Sequence, residues 1–129
     1  CLLKVGLSNR QIGVISPLKA QLKMIQSHLH SMGLNGPGKS IDVFTVDKYQ
    51  GSDVDCLLIS FVRSNSLKSV GTLLKDWRRI NVAFTRAKRK IILIGSRSTL
   101  SANHLLAAFF QMVDEHNWEL KLPAEALRW

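Results

Sequence analysis

Apolar positions along the chain change their period several times, and each change predicts an element. Gln11 to Ser16 (QIGVIS) carries β-branched residues and stops at Pro17, which predicts a short buried strand. Leu18, Leu22, Ile25, Leu29 and Met32 then recur in steps of four and three, the spacing of one stripe on a helix. The Gly- and Pro-rich stretch 33–38 ends that helix, and Ile41 to Val46 alternates as a strand does. A polar loop, DKYQGSD, leads to Cys56 to Val62, whose near-continuous apolar character suits a strand covered on both faces. After a polar connection over 63–72, Trp77, Ile80, Phe84 and Ala87 predict a second helix and Ile91 to Ile94 a strand ending at Gly95. Leu105, Leu106, Phe109, Phe110 and Val113 predict a third. Such alternation predicts an α/β domain, a mostly parallel sheet flanked by helices.

Composition narrows this picture. With 129 residues, 46% of them hydrophobic, the chain fits one domain over 1–129, with 119–129 as a ragged tail. It begins at Cys1 without an initiator Met and is expected to be a fragment of a larger protein. No apolar run approaches the roughly 20 residues that a membrane span requires. Cys1 and Cys56 lack metal-ligand spacing, so no metal site is expected among them, and Cys56 reads as a buried, reduced thiol. Lys and Arg outnumber Asp and Glu by 18 to 9, a net charge of +9 that favours a polyanion partner. Charge alone leaves open a non-catalytic nucleic-acid-binding module.

One stretch invites a wrong conclusion. Gly33 to Ser40 (GLNGPGKS) matches the P-loop pattern G-x-x-x-x-G-K-[ST] letter for letter. A working P-loop leaves a strand and opens a helix, whose N-terminal amides hold the phosphates. Here a helix is predicted before the glycines and a strand after them, so the stretch reads as a helix C-cap and connection.

Three segments fall at or near the predicted C-terminal ends of strands, where open α/β sheets place ligands. They are SPLKAQ from Ser16, TVDKYQGSD from Thr45 to Asp53, and RRINVAFTRAK from Arg78 to Lys88. In the last, Arg79 and Arg86 are seven residues apart, two helical turns, which predicts one shared face. Taken in order, GVISPLKAQ, TVDKYQGSDVD, ISFVRSN and LLKDWRRINVAFTRAK resemble the consecutive motifs of the second RecA-like lobe in superfamily 1 helicases. The resemblance runs from about Ile12 to Ser96. The pairing of DKYQG with LLKDWRRINVAFTRAK resembles in particular the eukaryotic replication helicase–nucleases that process Okazaki-fragment flaps.

That resemblance implies a RecA-like P-loop NTPase fold without a functional P-loop, and a lobe of an ATP-dependent 5′ to 3′ DNA helicase of replication and repair in the nucleus. ATP and Mg²⁺ would be held mainly by a first lobe, so the fragment alone is expected to be inactive. It implies that Arg86 reaches the γ-phosphate as an arginine finger, an always-charged fork of donors suited to phosphoryl transfer. Gly51 would allow close approach to the nucleotide, Asp53 would hydrogen-bond the ribose, Gln50 would hold the loop, and Arg79 would support Arg86 or pair with an acid. Ser16, Thr45, Arg63 and Asn65 resemble positions that touch the backbone of single-stranded DNA, giving grip without reading sequence. Ser52 stands where the family usually has Arg, which removes one cation from this loop. An RNA helicase of the same subgroup shares these motifs and stays open.

Overall fold

A computed structural model of the protein describes residues 2–36, 39–45, 53–61, 77–101 and 104–121. After two short 3₁₀ turns, Leu2–Val5 and Asn9–Gln11, come β1 (Ile12–Ile15) and α1 (Lys19–Ser31). A two-stranded ribbon of β2 (Asn35–Gly36) and β3 (Lys39–Ser40) leads to β4 (Asp42–Phe44). Then follow β5 (Val54–Ser60), α2 (Trp77–Phe84), β6 (Ala87–Ile94), the short α3 (Arg97–Leu100) and α4 (His104–Glu115).

The main sheet has the order β4-β1-β5-β6, and all its pairs are parallel. Parallel neighbours cannot be joined by tight hairpins, so each return requires a crossover. Strand alternation divides the core between the two faces. Ile12, Val14 and Val43 join Leu22, Ile41 and the half-buried Ile25 and Leu29 on the face that α1 covers. Ile15, Leu57, Ile59 and Phe61 join Ala83, Leu100 and Leu106 on the other, under α2, α3 and α4. Ile15, Leu57 and Ile59 are among the most deeply buried side chains, each worth roughly 1.5–3 kcal/mol of burial. The expected α/β, RecA-like architecture is thus present.

The first helical stripe holds in its middle and departs at both ends. Leu18 is the extended N-cap residue, and Met32, at the C-cap, is 63% exposed. What stops α1 is a pair of backbone bonds: the Leu34 N–H donates to the Leu29 carbonyl at 2.9 Å and the Gly33 N–H to the His30 carbonyl at 3.0 Å. Gly33 has φ +69°, so this is a Schellman closure with glycine in the left-handed region. The P-loop look-alike is therefore entered from a helix end and left through strands, as its sequence context predicts.

One expectation requires correction. Ala87 is not on the second helical stripe but opens β6, which starts four residues earlier than the apolar run Ile91 to Ile94. Its first half hides in AKRK because Lys88, Arg89 and Lys90 are exposed on a strand at the end of the sheet order, where lysine is tolerated and discourages stray pairing. Beyond β6, a charged cluster joins α3, α4 and Glu119. Arg97 forms a two-pronged pair with Asp114 at 2.7 and 2.6 Å, bonds Glu119, and lies 5.2 Å from the Phe110 ring centre. Arg97 holds the Asp114 carboxyl below its usual range, while Asp114 and then Glu119 raise the Arg97 pKa.

Candidate nucleotide and strand sites on opposite edges of the sheet

The parallel sheet gives the molecule two unlike edges. Ser16 and Thr45 follow β1 and β4, at the C-terminal edge. Ile15 and Phe44 are paired in register, so the next residues of each strand come together, and the Ser16 N–H donates to the Phe44 carbonyl at 3.3 Å. Thr45 is half-buried. Ser16 is 0% exposed, and its hydroxyl accepts from the Leu18 N–H at 3.3 Å. A hydroxyl sealed in this way cannot touch a strand in this conformation. Its work is to turn the chain from β1 into α1, which corrects the expectation of a backbone contact for Ser16.

Asp53 and Arg86 are at the other edge. Each immediately precedes a strand, β5 and β6, and Val54 pairs with Ala87. The expectation that the segment from Arg78 to Lys88 lies at a C-terminal strand end is therefore reversed for Arg86. Since β5 spans seven residues, the two edges are separated by roughly 20 Å. Nor do Arg79 and Arg86 share a helix face, because α2 ends at Phe84 and Arg86 occupies the turn beyond it. The turn forms where the Thr85 hydroxyl donates to the Val82 carbonyl at 3.0 Å and the Arg86 N–H donates to the Ala83 carbonyl at 3.2 Å. The Arg86 carbonyl accepts from the Val54 N–H at 3.0 Å, which fixes the Arg86 backbone against the start of β5.

The Arg86 side chain is 31% exposed and meets Asp53 through a single Nη1 to Oδ1 contact of 3.4 Å. Its Nε is buried and has no hydrogen-bond partner. An unmet buried donor costs about 1–3 kcal/mol, more on a charged group, so the guanidinium retains capacity for an anion. That capacity fits the phosphate end of a nucleotide. Asp53 is exposed beside it, where it could accept from a hydroxyl.

Sequence reasoning missed a second charged pair at this edge. Asp55 accepts from Gln11 Nε2 at 2.6 Å and lies 3.8 Å from Arg89 Nε, and Gln11 Oε1 in turn accepts from the Ser8 N–H at 2.8 Å. The register between Val54 and Cys56 is irregular at this point. Such bulges re-aim side chains near functional sites. Cys56, next along β5, is a free buried thiol whose pKa burial pushes up, against the pull of Lys90. A raised thiol pKa suits packing rather than nucleophilic chemistry.

Gln50, Gly51, Arg63 and Asn65, with Ser52, lie outside the described residues, as does the side chain of Arg79. Among the described residues no group of three or more His, Cys, Asp or Glu side chains is placed to hold a metal ion, and no helix is long and apolar enough to cross a membrane.

Comparison with known proteins identifies the family. A family model described as an AAA domain matches residues 1–98. The DNA replication ATP-dependent helicase/nuclease of Mus musculus is 46% identical over 95% of this chain and 11% of its own length. That of Schizosaccharomyces pombe is 43% identical over 90% of this chain and 8% of its own, and that of Arabidopsis thaliana 44% over 91% and 8%. The chain thus spans about a tenth of the length of the curated relatives it matches. With an all-parallel sheet flanked by helices and this extent of family match, the chain belongs to the AAA domain family, as a RecA-like helicase domain of superfamily 1.

Proposed function

We propose that this domain is the second motor lobe of an ATP-dependent 5′ to 3′ DNA helicase, within a helicase–nuclease of DNA replication and repair in the nucleus. One observation carries the reading. Arg86 is fixed by its backbone at an edge of the sheet, while its guanidinium keeps an unmet buried Nε and, among the described residues, one long side-chain contact. A preorganised cation with free donors is what a γ-phosphate facing it from a first lobe requires. Bound ATP with Mg²⁺, held mainly by that first lobe, supplies the phosphoryl transfer. On this lobe Arg86 stabilises the charge that develops, Asp53 stands beside the ribose, and Gly51, Gln50 and Arg79 shape and support the nucleotide edge. Thr45, with Arg63 and Asn65, contributes part of the grip on single-stranded DNA at the opposite edge. Because the phosphate cradle belongs to the other lobe, this chain alone turns nothing over.

The test is strand-stimulated ATPase of the intact motor. Arg86→Ala is expected to lower turnover about a thousandfold or more while ADP affinity stays nearly unchanged, because the lost contact lies beyond the β-phosphate. Arg86→Lys should rescue poorly, since an ammonium keeps the charge but not the planar fork. A folded Arg86→Ala that keeps turnover within about fivefold, a loss near 1 kcal/mol, would make Arg86 a structural arginine. Unwinding of DNA and RNA duplexes by the same protein separates the DNA motor from an RNA helicase of the same subgroup.

A further inference from the structure

We infer that Asp53 is a positioning residue that parks Arg86 while the nucleotide site is empty and gives it up when an anion arrives. The inference rests on the reading of Arg86 as the finger. The two residues immediately precede neighbouring parallel strands, with Val54 paired to Ala87 and the Val54 N–H bonded to the Arg86 carbonyl at 3.0 Å. The ladder therefore delivers the carboxylate to the guanidinium.

The contact is built to break. Charge-assisted pairs usually close to about 2.7–2.9 Å, and Arg–carboxylate pairs are often two-pronged. The same molecule shows such a pair, Arg97 on Asp114 at 2.7 and 2.6 Å. Arg86 instead meets Asp53 through one atom pair at 3.4 Å, and its buried Nε stays unmet. Both side chains are part exposed, 31% and 48%, so solvent screens their attraction. The neighbouring carboxylate cannot substitute, because Gln11 and Arg89 already engage Asp55. Parking at Asp53 thus aims Arg86 without satisfying it, and a γ-phosphate offers what Asp53 does not. Arg86 then leaves, and the freed Asp53 carboxylate can accept a ribose hydroxyl.

The measurement is binding of a β,γ-imido ATP analogue and of ADP to the intact motor, for wild type, Asp53→Asn, Arg86→Ala and the double variant, with a thermal melt of each. Asn keeps an oxygen that can accept from a ribose hydroxyl but lacks the charge that holds Arg86. Asp53→Asn is expected to shift the affinity ratio toward the ATP analogue by about two- to fivefold, the size of an exposed ion pair. In the Arg86→Ala background the same change should leave the ratio where it is, a coupling that merely structural loosening would not produce. Asp53→Glu, which keeps the charge, should return the ratio toward wild type. An unchanged or reversed ratio in Asp53→Asn, or an equal shift in both backgrounds, overturns the parking role and leaves the finger intact. Should Arg86→Ala itself fail to weaken the ATP analogue relative to ADP, the finger reading falls and the parking role with it.

Discussion

At the C-terminal edge of the sheet the hydroxyl of Ser16 is wholly enclosed and already engaged with the backbone, whereas at the N-terminal edge Arg86 is partly open and holds a donor that nothing satisfies. Both residues belong to segments that resemble helicase motifs, and both stand one residue from a strand end. The difference lies in what surrounds them. A short polar side chain at a strand-to-helix turn can meet its own chain's orphan amides. A long cation on a turn that precedes a strand has its backbone fixed and its head left over. Exposure and satisfaction, more than motif membership, separate a residue that shapes the fold from one that can act on a ligand.

Crossed measurements on the two edges test that separation. The largest effect should come from Arg86→Ala, with the turnover loss of about a thousandfold, near 4 kcal/mol, accompanied by single-strand affinity within about twofold of wild type. A matching loss of strand affinity would mean that the edges are not separate sites. Next comes Thr45→Val, which keeps shape and removes the hydroxyl. It should weaken binding of a fluorescent oligothymidylate by about 1 kcal/mol, roughly fivefold, and leave ADP affinity alone. Unaltered oligonucleotide binding would remove Thr45 from the grip. The smallest effect belongs to Ser16→Ala, which deprives the Leu18 N–H of its acceptor. It should lower the melting temperature of the chain by a few degrees, consistent with at most about 1 kcal/mol, without changing strand affinity. A drop in strand affinity at unchanged stability would return Ser16 to the binding surface.

Much of the architecture was legible because burial imposes its period on sequence. β1 and β5 are covered on both faces and read as apolar runs, and the centre of α1 reads as a stripe through Leu22, Ile25 and Leu29. What escaped reading lies where burial is one-sided. β6 begins in AKRK, whose charges disguise a strand, and Ala87 extends a helical pattern by coincidence after Thr85 has ended the helix. That same coincidence carried Arg86 onto a helix face shared with Arg79 and onto the wrong edge of the sheet. The Asp53–Arg86 contact joins residues 33 apart, and Gln11–Asp55 joins residues 44 apart. Pairings of that range follow from strand order, which local periodicity does not encode. The motif letters pick out Asp53 and Arg86 separately, but only the register places them side by side.

The turn that closes α1 has a consequence for chirality. Gly33 sits at φ +69°, and a Cβ built there would meet no atom within 4 Å, so glycine is required for its backbone angle and not for space. The mirror-image amino acid has the opposite preference. A D-alanine placed at 33 by chemical ligation would find this angle natural, whereas L-alanine would be strained in it. Because the D residue also narrows the unfolded ensemble, it should raise stability by roughly 0.4–1 kcal/mol in a denaturant titration, and the L residue should lower it. Within a string that imitates a phosphate-binding loop, this glycine answers to handedness alone.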